Sequence, residues 1–309
     1  MDALSQLVDL LDPSARMDVK CVLGVPWALD NPHAASWVAP FHYVQRGEVS
    51  LRLDGGAAPT AVRAGSLLIL PHGAAHRLEA GSGAVPGAAR RRAGPVVDVQ
   101  TNVEAPGQAD VEILCGHFQF RSRRRSALLE ALPAHIVIVP GADSGALRLE
   151  ALVRMVSEEL DAAEPGAASI VSSLSGVLFA LALRAYVQQQ QGLNGLLGLL
   201  AHPRLAASLN AMLTRPAEPW TAEQLAALCH VSRATFMREF KAVTGRGPLE
   251  VLTSLRMEMA AGHLARGLHA TAEVGEMVGY QSEAAFNRAF AKHAGMTPGR
   301  FRRQPPSAT

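Results

Sequence analysis

The sequence predicts an α+β chain, strand-built in its first half and helical in its second, and three observations carry that reading. Residues 21 to about 121 alternate apolar and polar side chains between Gly and Pro punctuation, as half-buried strands do. From Ser144 onward apolar residues recur every three or four positions, the period of amphipathic helices. The last ninety or so residues hold one helix-turn-helix pattern twice, about fifty residues apart. The division expected is a strand domain over 1–143, a helical connector over 144–200 and an all-α domain over 201–309.

Length and composition bound the possibilities. With 309 residues, 49% of them apolar, the chain has room for two domains with real cores. Its 29 basic and 27 acidic residues nearly balance, but 11 basic against 7 acidic residues lie from Trp220 onward, leaving the front mildly acidic. A basic end suits nucleic acid. No run of apolar residues reaches the ~18 needed to cross a bilayer, so no membrane association is expected. The start Met1-Asp2-Ala3-Leu4 lacks the basic n-region of a signal peptide. Three cysteines make no disulfide scaffold. A soluble cytoplasmic protein with thiols reduced at rest is expected.

Taken in order, Phe41 to Gly47 reads as a strand ending in a tight turn, and Glu48 to Leu53 as an alternating strand running to the Gly55-Gly56 turn. Val62 to Pro71 and Glu112 to Phe120 read as further strands. Between them, Glu79 to Asp110 is rich in Gly, Ala and Pro, carries Arg90-Arg91-Arg92, and is expected to be a mobile insertion. Ser122 to Arg125 adds a second basic cluster. Leu147 to Met155 and Ile170 to Val187 give two apolar helical faces, separated by Glu164-Pro165-Gly166. So wide an apolar stripe needs a covering surface, in a second copy of the chain or within the monomer. Gln188 to Gly192 begins a linker.

The two helix-turn-helix copies match in detail. Thr221 to Cys229 is an amphipathic helix with Thr221 as N-cap, His230-Val231 is the turn, and Ser232 caps a helix over Arg233 to Thr244 that ends at Gly245. Thr271 to Val278, Gly279-Tyr280-Gln281 and Ser282 repeat the arrangement, and Phe286 and Phe290 repeat the i, i+4 apolar pair of Phe236 and Phe240. One uninterrupted helix, Leu249 to Ala265, joins them. A rigid joint would set the second helices against two successive major-groove faces, roughly 34 Å apart. Cys229 falls on the buried side of its helix.

The string from Gly279 to Phe290, followed by Thr297-Pro298-Gly299-Arg300-Phe301-Arg302, resembles the signature of AraC-type transcription regulators, and that resemblance covers Trp220 to Arg303. It implies binding to double-stranded DNA and, for an activator, contact with RNA polymerase. The faces turned away from the Phe pairs hold Arg233, Ala234, Met237 and Arg238 on the first recognition helix, and Glu283, Ala284, Asn287 and Arg288 on the second. Arg238 and Arg288 match DNA-contacting positions of the family and can bond guanine O6 and N7 bidentately. Phosphate contact is the alternative for either.

In the strand region, Gly65 to His76 fits the second cupin motif, Gly-x5-Pro-x-Gly-x2-His, and resembles the cupin β-barrel that AraC-type regulators carry as a sensor. Cupin enzymes hold metal through two His and a Glu of the first motif and the His of the second. Here Pro40 stands in the Glu position. His42, His76 and His117 could converge on a divalent metal, or serve as hydrogen-bonded residues with no cofactor required.

Finally, the Cys21-Val22-Leu23-Gly24 run, the Leu70-Pro71 to Leu78 segment, the Cys115-Gly116 pair and Leu200 to Leu205 together resemble the reactive-chlorine-specific activators within that family. The resemblance implies that Cys21 and Cys115 sense hypochlorous acid. A thiol so used should be accessible and have a depressed pKa, for which Lys20 and His117 could supply charge. On the residues alone, both cysteines read more readily as small buried apolar side chains, and it is the resemblance that turns the reading to a sensor. Three functions therefore stand: a thiol-switched regulator, a regulator gated by a small molecule or metal in the barrel, and a metal-dependent cupin enzyme.

Overall fold

The computed structural model describes residues 2–35, 37–54, 58–83, 89–120, 127–130, 132–141 and 144–303. In chain order its elements begin with α1 (Ala3–Leu11), β1 (Pro13–Leu23), β2 (Trp27–Asn31), β3 (Val38–Arg46), β4 (Glu48–Leu53), β5 (Thr60–Arg63) and β6 (Leu67–Ile69). There follow β7 (His76–Ala80), β8 (Arg90–Arg92), β9 (Asp98–Thr101), β10 (Val111–Phe120), α2 (Ala127–Glu130), β11 (Ile136–Ile138), α3 (Ser144–Ala162) and α4 (Ala167–Gln189). The last third is helical: α5 (Gly195–Ala201), α6 (Ala206–Thr214), α7 (Ala222–Leu228), α8 (Arg233–Thr244), α9 (Pro248–Arg266), α10 (Thr271–Met277), α11 (Glu283–Ala294) and α12 (Pro298–Arg302). The chain forms two compact units, Pro13–Arg125 with Leu132–Gln190, and Met1–Asp12 with Ser126–Ala131 and Gln191–Thr309.

The first unit is built on two sheets. One runs β11-β6-β3-β10-β1-β9-β8 and the other β2-β7-β4-β5. Alternation along β10 explains its central place in the larger sheet. Val111, Ile113 and Cys115 face the other sheet and join a core with Val19, Cys21, Val49, Leu51 and Leu78. Phe118 and Phe120 face the opposite way and meet Phe179 of α4, each at 5.2 Å between ring centres. Burial on both faces takes β10 out of solvent along nearly its whole length.

That aromatic contact accounts for a departure from the expected division. Residues 144–200 do not form a separate connector: α3 and α4 belong to the sheet unit, while α5 joins the helical one. Contrary to the sequence reading, α4 is long and apolar enough to cross a membrane by length and composition alone. It instead buries Val171, Leu178, Phe179, Ala182 and Leu183 as a core helix.

The insertion over 79–110 also differs from expectation. It supplies β8 and β9, and β9 lies parallel to β1 with Gln100 beside Cys21. The backbone donors and acceptors on that side of β1 thereby gain partners. Arg90 to Arg92 form the exposed edge strand, with Arg91 ion-paired to Asp98. Residues 84–88, the Gly55-Gly56 turn and the basic cluster over 122–125 lie outside the described residues.

In the helical unit the caps fall where the sequence puts them. Thr221 forms a capping box with Gln224, and the Ser232 and Ser282 side chains accept from the backbone N–H groups of Thr235 and Ala285. Phe236, Phe240, Phe286 and Phe290 are all fully buried. The turns differ in length, two residues against three, and in the residue that takes the left-handed position. Gly279 has φ +86°, and its first-copy counterpart His230 takes φ +55°, a left-handed conformation that costs a side chain with a Cβ about 1 kcal/mol. His230→Gly is therefore expected to stabilise the helical unit by roughly 0.5–1 kcal/mol, read as a raised denaturation midpoint. An unchanged or lowered midpoint would show that the turn carries no such strain.

Candidate functional site

Two places gather chemistry. In the sheet unit, register brings distant residues together. Cys115 lies opposite Val19 on one side and His42 on the other, while Cys21 lies opposite Ile113. The two cysteines are thus diagonal neighbours on adjacent strands, with their sulfurs 4.0 Å apart. Both are buried, Cys21 at 1% exposure and Cys115 at 8%. His42 points Nδ1 at the Cys115 sulfur, 3.0 Å away, and its Nε2 lies 2.8 Å from Nε2 of His76. His76 in turn places Nδ1 2.8 Å from the carbonyl oxygen of Ala74. The result is one unbroken chain, Cys21–Cys115–His42–His76, across the interior of the unit.

Burial sets its electrostatics. The His42 imidazole is lowered to about 3, first by desolvation and then by His76. His76 is also lowered by burial. Cys115 is pushed well up, first by the Cys21 contact and then by burial. This reverses the depressed pKa expected of a sensing thiol. At rest Cys115 is a protonated thiol beside neutral imidazoles. Neither proposed charge donor reaches the sulfurs. Lys20 pairs with Asp161 of α3 at 2.5 Å, and His117 binds Asp18 through Nδ1 at 2.5 Å and Gln119 through Nε2 at 3.0 Å. Sequence reasoning gave His42 as a metal donor or a hydrogen-bonded residue but did not identify Cys115 as its partner, because the pairing of β3 with β10 cannot be read from spacing.

The ligand set that the cupin fold implies does not fit these residues. His42 and His76 meet, but the ring nitrogens of His117 are taken by Asp18 and Gln119. Pro40 supplies no donor where the carboxylate would stand. Among the described residues no group of three or more His, Cys, Asp and Glu side chains is placed to hold a metal ion.

The lowered imidazoles carry a consequence for stability. Between pH 6.5 and about 3 the unfolded chain protonates the His42 ring and the folded chain does not. The His42 contribution is therefore complete above pH 6.5 and is lost as pH falls toward 3, by up to ~1.4 kcal/mol per pH unit. Denaturant unfolding of the full chain in a Trp220→Phe background, read through Trp27 and Trp37, should show this acid slope. His42→Gln should flatten it, and an equal slope in both proteins would contradict the assignment.

The second place is the pair of recognition helices, α8 and α11. Residues 232–240 and 282–290 have the same burial sequence, position for position. Arg233, Ala234 and Arg238 are exposed with Met237 half-buried, and Glu283, Ala284 and Arg288 are exposed with Asn287 half-buried. Arg233 is ion-paired to Glu223 at 2.6 Å, both more than half exposed, so the pair is weak enough to exchange for a phosphate. Among the described residues Arg238 and Arg288 have no hydrogen-bond or ion-pair partner. Cys229 is buried at the end of α7, and its thiol is raised by burial, as suits a core residue.

Comparison with known proteins agrees with both halves. The cupin family matches residues 2–188, and a helix-turn-helix domain family matches residues 225–304. The chain is 33% identical to the RCS-specific HTH-type transcriptional activator RclR of Escherichia coli, over 98% of this chain and 97% of that one. It is 31% identical to an AraC-like transcription regulator of Streptomyces antibioticus, covering 99% of each. It is 28% identical to the HTH-type transcriptional regulator MtrA of Neisseria gonorrhoeae, over 98% of this chain and 99% of that one. The duplicated helix-turn-helix, the two-sheet domain before it and end-to-end similarity together show that this chain belongs to the AraC-type DNA-binding transcription regulators with an N-terminal cupin domain.

Proposed function

We propose that the chain is a cytoplasmic transcription activator switched by oxidation of Cys21 and Cys115 with reactive chlorine species. The observation that carries this reading is the 4.0 Å separation of the two sulfurs inside the cupin domain. Two thiols so close on adjacent strands need only side-chain rotation and a small strand adjustment to reach disulfide distance. A cross-link there would tie β1 to β10, the strand that also backs α4 through Phe118 and Phe120, and so would bias the packing of the whole domain. Similarity to a relative named as RCS-specific supports the choice of oxidant. In the helical unit, Arg238 and Arg288 read base edges, and Arg233, Ala234, Met237, Glu283, Ala284 and Asn287 line the same faces. The exposed stripe of α3 and α4, with Leu147, Met155, Ile170 and Val177, serves a homodimer contact. RNA polymerase is the further partner of an activator.

Transcription from the protein's own upstream DNA, with and without hypochlorous acid, tests the reading. Induction in wild type that disappears in Cys21→Ala and in Cys115→Ala is the expected result. Induction that survives both substitutions would refute it and direct attention to a ligand of the barrel.

A further inference from the structure

The chain of contacts through His42 and His76 has a direction, and the carbonyl at its end fixes it. The Ala74 oxygen can only accept, so the proton on His76 sits at Nδ1. In the neutral ring Nε2 of His76 is then an acceptor, and Nε2 of His42, 2.8 Å away, must be the donor. That leaves Nδ1 of His42 with its lone pair facing Cys115, whose S–H donates across 3.0 Å. Every link follows from the one before. The thiol hydrogen points at a base, and a second base stands one ring further on.

We infer that His42 and His76 form a proton relay that takes the Cys115 proton as its sulfur becomes a nucleophile. This rests on the redox reading above and adds to it the groups that let a buried thiol react. Hypochlorous acid attacks thiolate, and the Cys21 contact together with burial holds Cys115 as a thiol. The relay meets that need during the reaction: the Cys115 proton moves to Nδ1 of His42, the Nε2 proton of His42 moves to Nε2 of His76, and the positive charge ends on His76. In that state the Nδ1–H of His42 stabilises the thiolate. Cys21 lies one sulfur further from the imidazoles, and among the described residues its one side-chain hydrogen-bond contact is Cys115.

The reaction balances. One thiolate sulfur bonds to the chlorine of hypochlorous acid as the Cl–O bond breaks, and the departing hydroxide takes up a proton to become water. The second sulfur then attacks the chlorinated one, the S–S bond forms, and chloride leaves. Two thiols and one hypochlorous acid give one disulfide, water, chloride and a proton, the two sulfurs being oxidised and the chlorine reduced. Cys115 is the nucleophile in one of the two displacements whichever sulfur is chlorinated first, and in both orders its proton leaves through His42.

The test uses the full-length reduced protein. Histidine 15N NMR should find His42 protonated at Nε2 and His76 at Nδ1. Alkylation of Cys115 by iodoacetamide, mapped by mass spectrometry, should slow at least about tenfold in His42→Gln. It should also slow in His76→Gln, whose amide oxygen can still accept from His42 but cannot take up a proton. Circular dichroism of each variant checks that it is folded. His42 protonated at Nδ1 in the wild type, or unchanged Cys115 alkylation in folded His42→Gln, would overturn the relay. Failure of the redox reading looks different: no Cys21–Cys115 disulfide forms in the wild type with hypochlorous acid, whatever the tautomers and alkylation rates.

Discussion

Arg238→Ala combined with Arg288→Ala is expected to weaken operator binding by ~100-fold or more at fixed salt, each substitution contributing ~1–3 kcal/mol. The two positions lie at equivalent places on α8 and α11, fifty residues apart, and each is exposed beside a fully buried Phe pair that locks its helix. Being on separate helices they should act additively. Each substitution should also relax base preference at its own half of the operator. An arginine that touched only phosphate would behave otherwise, lowering affinity equally for all sequences and reducing the slope of log K against log salt by about 0.9. Binding titrations at three salt concentrations, on operator and scrambled DNA, separate the two cases. Unchanged operator affinity in the double variant would remove both residues from the interface.

Gly116→Ala is expected to destabilise the cupin domain by on the order of 3 kcal/mol. A Cβ at this position would fall on the carbonyl oxygen of Arg16 and within 2.6 Å of Cζ of Phe41. Neither neighbour has room to yield. Arg16 is backbone of the paired strand β1, and Phe41 is fully buried against Phe118, at 4.7 Å between ring centres. Relief would require β10 to move away from β1 or β3, carrying the adjacent Cys115 away from Cys21 or His42. Thermal unfolding and the yield of Cys21–Cys115 cross-link should therefore fall together. A variant as stable as wild type would show that the strands part easily here, and the tight register invoked for the thiols would lose its support.

The DNA-binding half was nearly complete in the sequence because its determinants are local. Ser232 and Ser282 as caps, the i, i+4 Phe pairs and Gly279 in the turn act, within each copy, over no more than a dozen residues, and the structure places each as read. The cupin half was legible as strands, and the second motif located His76 correctly at the start of β7. What the sequence could not convey was register. Cys21, His42, His76 and Cys115 meet because β1, β3 and β10 pair in one alignment, across sequence separations of up to 94 residues. A slip of one residue would turn Cys115 outward. The same limit misplaced His117, which lies on the inward-facing side of β10 by alternation but is held by Asp18 at the β1 bulge. It also hid the insertion's strand β9, whose pairing with β1 depends on a free strand side rather than on its own composition.

The most direct measurement is peptide mapping by mass spectrometry after one equivalent of hypochlorous acid, on the same sample whose operator affinity and transcriptional output are read. A thiol switch at this pair yields a peptide joining Cys21 to Cys115, reversed by dithiothreitol, with Cys229 unmodified and a change in DNA binding or transcription that tracks the cross-link. A change in DNA binding or transcription with both Cys21 and Cys115 still reduced would contradict it.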